Sequence, residues 1–296
     1  MPGSDLASNL RETGPYHPGQ WTSGSGTRRA EASDMVDNVA AKADVGGLAL
    51  AYVETGAGEP LLLLHGAESH KGQHQLLTPH LSSAIRAIAY DQRDVGGSDS
   101  ATRDYDIADL AADCVGLMDA LGLPDAHLAG FSFGGAIALQ VALRHPACVR
   151  SLVVGATPRS FASPSPFVAR ALAQPPEERA VLMRDASISP RAQQDERLMA
   201  VVGDLLRGRV TTPGSRRSAA ITTHHLTAAE LGSITAPTLL VYGAEDPVVP
   251  IAEGRALLAA LPHAELSVID DARHGVALEY PERVAALVSD WVSRHR

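Results

Sequence analysis

The sequence predicts an α/β protein: a doubly wound, mostly parallel sheet carrying a helical insertion. Three observations lead there. Short apolar runs alternate with helical segments from Leu48 to Val154 and again from Thr238 to Val292, which is the pattern of strand–helix–strand crossovers. The run Leu61-Leu62-Leu63-Leu64 is apolar at every position, as expected of a central strand buried on both faces. Between the two alternating stretches, residues 157 to 236 hold no strand-like run and several helical patches.

Taken in order, residues 1–40 are rich in Gly, Ser and Pro, with Tyr16 and Trp21 as the large anchors, and read as a flexible N-terminal extension. The core is assigned to residues 41–156 and 237–296. Leu48 to Glu54 reads as a strand, and Thr55-Gly56-Ala57-Gly58-Glu59-Pro60 as a hairpin turn into the Leu61 strand. A helix near residues 73 to 83, a strand Ala87 to Tyr90, a helix Ile107 to Leu121 and a strand His127 to Ala129 follow. The helix after Ser132 runs to about Arg144 and leads to a strand Ser151 to Val154. Phe167 to Ala173, Pro176 to Ala186 and Asp195 to Leu206 are helical patches punctuated by prolines. An insertion at the C-terminal end of a strand tends to roof the ligand crevice, so residues 157–236 are assigned as a lid. Thr238 to Tyr242, a helix near 251 to 260, Glu265 to Ile269 and a helix Pro281 to Val292 close the chain. No internal repeat is evident.

Composition narrows the class of function. A chain of 296 residues with 45% hydrophobic content has ample core, and a net charge of −9 disfavours nucleic acid or anionic lipid as partner. The largest basic clusters are the pairs Arg28-Arg29 and Arg216-Arg217. The N-terminus has neither a basic nor an apolar leader region, and no run approaches the length of a membrane span, which predicts a cytoplasmic protein. Cys114 and Cys148 stand in no C-x-x-C motif and read as reduced thiols.

In open α/β sheets ligands bind beyond the C-terminal strand ends, so residues just after each strand are the candidates for chemistry. After Ala129 the chain reads Gly130-Phe131-Ser132-Phe133-Gly134. A serine hydroxyl becomes a nucleophile only when exposed beside a base and an anion-stabilising pocket, and a tight strand-to-helix turn supplies that setting. Alone, the pattern arises by chance on the order of once in ten chains of this length. Among twelve histidines, His127 and His263 fall at the opposite sheet edge, and His17, His80, His145, His224, His225 and His295 lie in the extension, helices, insertion or terminus. His65, His70 and His74 follow an earlier strand and stay open, but His274 closes the last post-strand loop and is the candidate base for Ser132. Asp246, just after its strand and before Pro247, is the candidate carboxylate that would orient His274, with Glu245 as alternative; Asp270 and Asp271 share the His274 loop. The order is nucleophile Ser132, acid Asp246, base His274.

With His65-Gly66, Asp91-Gln92-Arg93 followed by Gly97-Ser98, the Ser132 turn, Gly243 to Pro250, and His274-Gly275, residues 41 to 296 resemble the α/β-hydrolase superfamily. The likeness is greatest to bacterial lid-bearing esterases, enol-lactone hydrolases and carbon–carbon bond hydrolases. The resemblance implies an oxyanion hole made by the backbone N–H groups of Ala67 and Phe133, a His65 that orders the oxyanion loop, and mutual bonding of Asp91, Arg93 and Ser98. Two features depart from the pattern. Phe133 places a bulky ring after the nucleophile, which would narrow the pocket, and Glu68, Ser69, His70 and His74 place polar groups at its mouth. Glu68, Phe131, Phe133 and Phe167 are the candidate pocket residues, and Phe161, Leu172, Val181, Leu182 and Met183 would add apolar surface. His70 and His74 lack a third metal ligand, and no dinucleotide or phosphate loop is present. The expectation is a hydrolase that needs no cofactor or metal, cleaving an ester or lactone of a small to medium organic molecule through an acyl-enzyme. The alternatives are carbon–carbon hydrolysis, a lyase or perhydrolase reaction with the same residues, and non-catalytic ligand binding.

Overall fold

The computed structural model describes residues 39–207 and 215–296. The expectation for the N-terminal extension therefore lies outside the described residues, apart from its last two positions. The strands are β1 (Val39–Val45), β2 (Leu48–Thr55), β3 (Glu59–Leu64), β4 (Ile85–Tyr90), β5 (Ala126–Phe131), β6 (Val149–Gly155), β7 (Thr238–Gly243) and β8 (Ala264–Ile269). They form one sheet in the order β1-β2-β4-β3-β5-β6-β7-β8, parallel from β4 to β8 and antiparallel where β2 joins β1 and β4.

Apolarity on both faces explains the centre of this sheet. Leu62 and Leu64 of β3 enter one core cluster and Leu61 and Leu63 the other, and all four are fully buried. The first cluster is closed by α1 (Ile107–Ala120), α2 (Phe133–Arg144), α7 (Ala228–Ser233) and α8 (Ile251–Ala260). The second is closed by α9 (Val276–Glu279) and α10 (Pro281–Arg294), which contributes Val284, Val288 and Trp291. Asp106 starts α1 with a capping box, accepting from the N–H groups of Ala108 and Asp109.

Between β6 and β7 lie α3 (Pro166–Leu172), α4 (Pro176–Ser187), α5 (Glu196–Arg207) and α6 (Arg216–Thr222), with α7 leading back to the sheet. Ile188, Leu198 and Val202 from this stretch pack with Leu76 of the loop after β3.

Two local expectations are corrected, and one strand is present that the sequence reading did not foresee. First, β2 and β3 are not a hairpin, because β4 lies between them. The turn after β2 is held against the start of β4: Glu59 N–H donates to Ala84 O at 2.8 Å, and a Cβ on Gly56 or Gly58 would stand 2.4 or 2.2 Å from the carbonyl oxygens of Ile85 and Ala84. Second, β1 is a full strand in register with β2, from Val39↔Glu54 to Val45↔Leu48. Its Ala-Ala-Lys-Ala-Asp sequence carries too little apolar alternation to announce itself. Third, the helix expected near 73 to 83 is two 3-10 turns, Lys71–His74 and Thr78–His80. Pro79 has no N–H with which to continue a helix from the first turn into the second.

Because Leu62 is packed in the central strand of a two-sided core, Leu62→Ala is expected to lower unfolding free energy by about 2–5 kcal/mol. Urea titration checks this, and a loss under about 1 kcal/mol would contradict the packing described.

Candidate active site

β5 ends at Phe131 and α2 begins at Phe133, leaving Ser132 alone to turn the chain. It does so at φ 54° and ψ −121°, a left-handed conformation that costs an ordinary residue on the order of 1–3 kcal/mol. The turn survives because its neighbours fix it. Ser132 N–H donates to Gly155 O at 2.8 Å, and Ser132 O accepts from the N–H groups of Gly135 at 3.0 Å and Ala136 at 3.2 Å. Thr157 Oγ1 lies 2.9 Å from the same oxygen. Strand and helix approach so closely that a Cβ on Gly134 would meet Leu64 O at 2.0 Å, and one on Gly130 would meet Gly134 O at 2.3 Å.

The Ser132 hydroxyl stands 3.1 Å from His274 Nε2, and His274 Nδ1 is 2.8 Å from Asp246 Oδ2. A carboxylate only accepts, so Nδ1 carries the proton and donates, and Nε2 is left to accept from the serine. Asp246 is buried, and its other oxygen accepts from the N–H groups of Val248 at 2.8 Å and Val249 at 2.9 Å. Glu245, the alternative acid, is exposed and takes no part, and Asp271 instead pairs with Arg191 at 3.7 Å. The structure thus brings together Ser132, Asp246 and His274, from three loops on one edge of the sheet.

The loop after β3 lies beside Ser132, with Gly66 adjacent to it. His65 is fully buried; its Nδ1–H donates to Gly66 O at 2.8 Å and its Nε2 accepts from Gln92 N–H at 3.2 Å. Burial, and then the nearby Arg217 guanidinium, hold its pKa well below the usual imidazole value. Gly66 N–H donates to Gln73 Oε1 at 2.9 Å. Arg217 of α6, 1% exposed, donates from Nε to Ala67 O at 2.9 Å and from Nη2 to Gly66 O at 3.3 Å and Gln92 Oε1 at 2.8 Å. In the sequence Arg217 is half of an arginine pair, and nothing local marks it for burial.

The loop after β4 differs in part from expectation. Ser98 Oγ donates to Asp91 O at 2.6 Å, and Asp91 accepts from Gly97 N–H at 2.8 Å and from Lys71 Nζ at 2.5 Å. Arg93 instead makes a two-pronged pair with Asp113 of α1, both contacts at 2.6 Å. Helix spacing hides this partner, which lies twenty residues further along the chain.

Ser132 and His274 open into a cavity of about 670 Å³. Phe131 and Glu68 line it, as do Phe161, Leu172 and Met183 from the stretch between β6 and β7. Two expected pocket residues do not. Phe133, fully buried at the first turn of α2, points its ring into the core, edge-on to Phe161 at 6.0 Å and 5.5 Å below the Arg217 guanidinium. It therefore does not narrow the pocket. Phe167 lies under Arg170 at 5.4 Å, while its neighbours Val168 and Ala171 face the cavity. Val181 is turned to solvent and Leu182 also stays out of the lining. Arg179, Gln73 and Val202 are lining residues the sequence reading did not single out. His70 caps the first 3-10 turn, accepting from Gly72 N–H at 3.1 Å, and His74 is buried against Phe131. Among the described residues no cluster of three or more metal-ligating side chains occurs.

The fold agrees with the comparisons. Residues 59–281 match the model of the α/β hydrolase fold, and the chain belongs to that family. It is 30% identical over 264 residues to the 2-hydroxymuconate semialdehyde hydrolase of Pseudomonas sp. strain CF600, covering 81% of this chain and 89% of the relative. Among solved structures it superposes on the meta-cleavage product hydrolase of Pseudomonas fluorescens IP01 with a TM-score of 0.75 at 23% identity, covering 86% of this chain and 98% of that one. It superposes on an N-acyl homoserine lactone degrading enzyme with a TM-score of 0.74 at 27% identity, covering 85% and 100%. The protein is a hydrolase of this family. Among the described residues no helix is long and apolar enough to cross a membrane.

Three histidines around this framework are held neutral by burial: His74 pushed down to about 3, His127 and His224 to about 4. Unfolding restores the ordinary value near 6.5, so between about pH 6.5 and 4 the unfolded chain binds more protons and stability falls as pH falls. Each histidine adds up to about 1.4 kcal/mol per pH unit in that window and nothing above it. Urea titrations at pH 7 and 5 are expected to show a marked loss at pH 5 that shrinks in His224→Asn. An unchanged loss in that variant would contradict the assignment.

Proposed function

We propose that the protein is a serine hydrolase that cleaves a carboxylic ester or lactone of a small to medium organic molecule through an acyl-enzyme. The observation that carries this reading is the hydrogen-bonded chain Asp246–His274–Ser132, whose last two members line the cavity. His274 Nε2 takes the Ser132 proton as Oγ attacks the carbonyl carbon, and Asp246 stabilises the imidazolium that forms. The N–H groups of Ala67 and Phe133 receive the developing oxyanion, the latter from a helix start whose first N–H groups have no partner within the helix. His274 then gives the proton to the departing oxygen, and water, activated by the same histidine, releases the acid and restores Ser132.

The cavity volume suits a drug-sized substrate, and its insertion-derived wall of Phe161, Val168, Leu172, Met183 and Ile221 suits an apolar acyl or alcohol part. The helices between β6 and β7 serve in this reading as the lid.

One observation favours a second reading. The relative at 30% identity is named for 2-hydroxymuconate semialdehyde, a compound with no ester, whose hydrolysis would have to break a carbon–carbon bond beside a carbonyl. The same three residues can serve that reaction.

A panel of p-nitrophenyl esters of graded acyl length, run beside lactones and an unsaturated keto acid, separates the two. Ser132→Ala and His274→Ala are each expected to lower ester kcat by about 10⁴-fold or more. Turnover retained in Ser132→Ala would overturn the mechanism. Cleavage of the keto acid alone, with the esters untouched, would transfer the assignment to the carbon–carbon reading.

A further inference from the structure

We infer that Arg217, a residue of the helical insertion, is a positioning residue of the oxyanion hole: its guanidinium holds the Gly66–Ala67 peptide so that the Ala67 N–H faces Ser132. The inference rests on the oxyanion role proposed above for Ala67 and Phe133.

The geometry of one peptide unit makes the argument. A trans peptide is planar, with its C=O and N–H pointing in opposite directions. Whatever grips the Gly66 oxygen therefore sets the direction of the Ala67 N–H. Two donors grip it, Arg217 Nη2 at 3.3 Å and His65 Nδ1 at 2.8 Å. The next carbonyl, Ala67 O, is held by Arg217 Nε at 2.9 Å. The preceding one, His65 O, accepts from Gln92 Nε2 at 2.9 Å, and the other end of that amide, Oε1, accepts from Arg217 Nη2 at 2.8 Å. Three successive carbonyls are thus drawn to the side of the loop on which Arg217 lies. Because Arg217 is absent from the cavity lining while Gly66, Ala67 and Ser132 are present in it, the guanidinium sits behind the loop and not in the substrate space.

The same guanidinium lies 5.5 Å above the Phe133 ring, so one side chain touches both residues whose N–H groups would meet the oxyanion. Burying a cation is costly unless its donors are used. Its Nε and Nη2 donors are spent on backbone carbonyls and an amide, while Nη1 is buried without a hydrogen-bond partner among the described residues. Burial lowers its pKa, and the nearby Tyr105 hydroxyl and Asp94 carboxylate oppose that shift. A positive charge hydrogen-bonded to the Gly66 oxygen also polarises that peptide and strengthens its N–H as a donor. Since Arg217 is carried by α6, the position of the insertion and the competence of the oxyanion hole are mechanically linked.

The test uses the full-length protein with Arg217→Lys and Arg217→Gln. Active sites are counted by labelling to completion with a fluorophosphonate, and p-nitrophenyl butyrate kinetics are normalised to that count. The expected result is a fall in kcat per labelled site of about 10- to 100-fold, larger for Gln than for Lys, with KM changed less than about threefold. The inhibition constant of an alkyl trifluoromethyl ketone, whose adduct carries the oxyanion, should rise by the factor by which kcat/KM falls. The pH at half-maximal kcat should stay put, because His274 and Asp246 are untouched. Wild-type kcat per labelled site in both variants, or an unchanged ketone affinity, would overturn the inference: a purely structural Arg217 lowers the number of active sites and leaves each one intact. If the wild-type protein neither labels nor turns over, the Ser132 mechanism itself fails and this inference falls with it.

Discussion

The geometry of the site depends on the turn at Ser132, and that turn depends on the core. A serine at φ 54° is a strained residue, and it is kept there by a strand and a helix that come together more closely than side chains permit. Gly130 and Gly134 have no room for even one added carbon. The parallel sheet supplies the rigid partners: Gly155 of β6 accepts the Ser132 N–H, and Leu64 of β3 presses on the start of α2. Burial of β3 on both faces is what holds those partners still. Stability gathered in the core thereby sustains a local conformation that would not persist alone.

Around this turn, the residues between β6 and β7 do more than cover a cavity. The end of α4 accepts hydrogen bonds from the His274 loop, His274 N–H to Ala186 O at 3.3 Å and Gly275 N–H to Ser187 O at 2.8 Å. Glu279 ties the same region from the other side, accepting from the N–H groups of Arg273 at 2.7 Å and Ser189 at 2.8 Å. Arg217 on α6 reaches the oxyanion loop. The proposed base and the proposed anion site are each tethered to the insertion, so under that proposal changes in its sequence would alter both substrate fit and the alignment of the reacting groups.

The sequence revealed most where chemistry or sterics restrict a position to one or two residue types. The glycines beside Ser132, the acid before Pro247 and the histidine before Gly275 could be placed because each follows a strand whose apolar run is plain. Positions whose role depends on which surfaces meet were opaque. Arg217 reads as half of a charged pair until α6 is docked against the β3 loop. Phe133 reads as a pocket wall until the first turn of α2 rotates its ring into the core, and Phe167 until α3 turns Val168 and Ala171 inward instead. Arg93 finds Asp113 on a helix that follows it, a pairing that helix periodicity does not express. The β2–β3 hairpin failed for a related reason: local turn residues fix that the chain bends, while the insertion of β4 between the two strands is decided by long-range pairing.

The most direct test of the central claim, that Ser132 is a nucleophile facing an anion site made by two backbone amides, is a crystal structure of the protein reacted with an alkyl p-nitrophenyl phosphonate. The account requires phosphorus bonded to Ser132 Oγ and a phosphoryl oxygen within about 3 Å of both the Ala67 and Phe133 nitrogens, with Arg217 still on the Gly66 and Ala67 carbonyls. Attachment to another residue, or a phosphoryl oxygen turned away from those two amides, would contradict it.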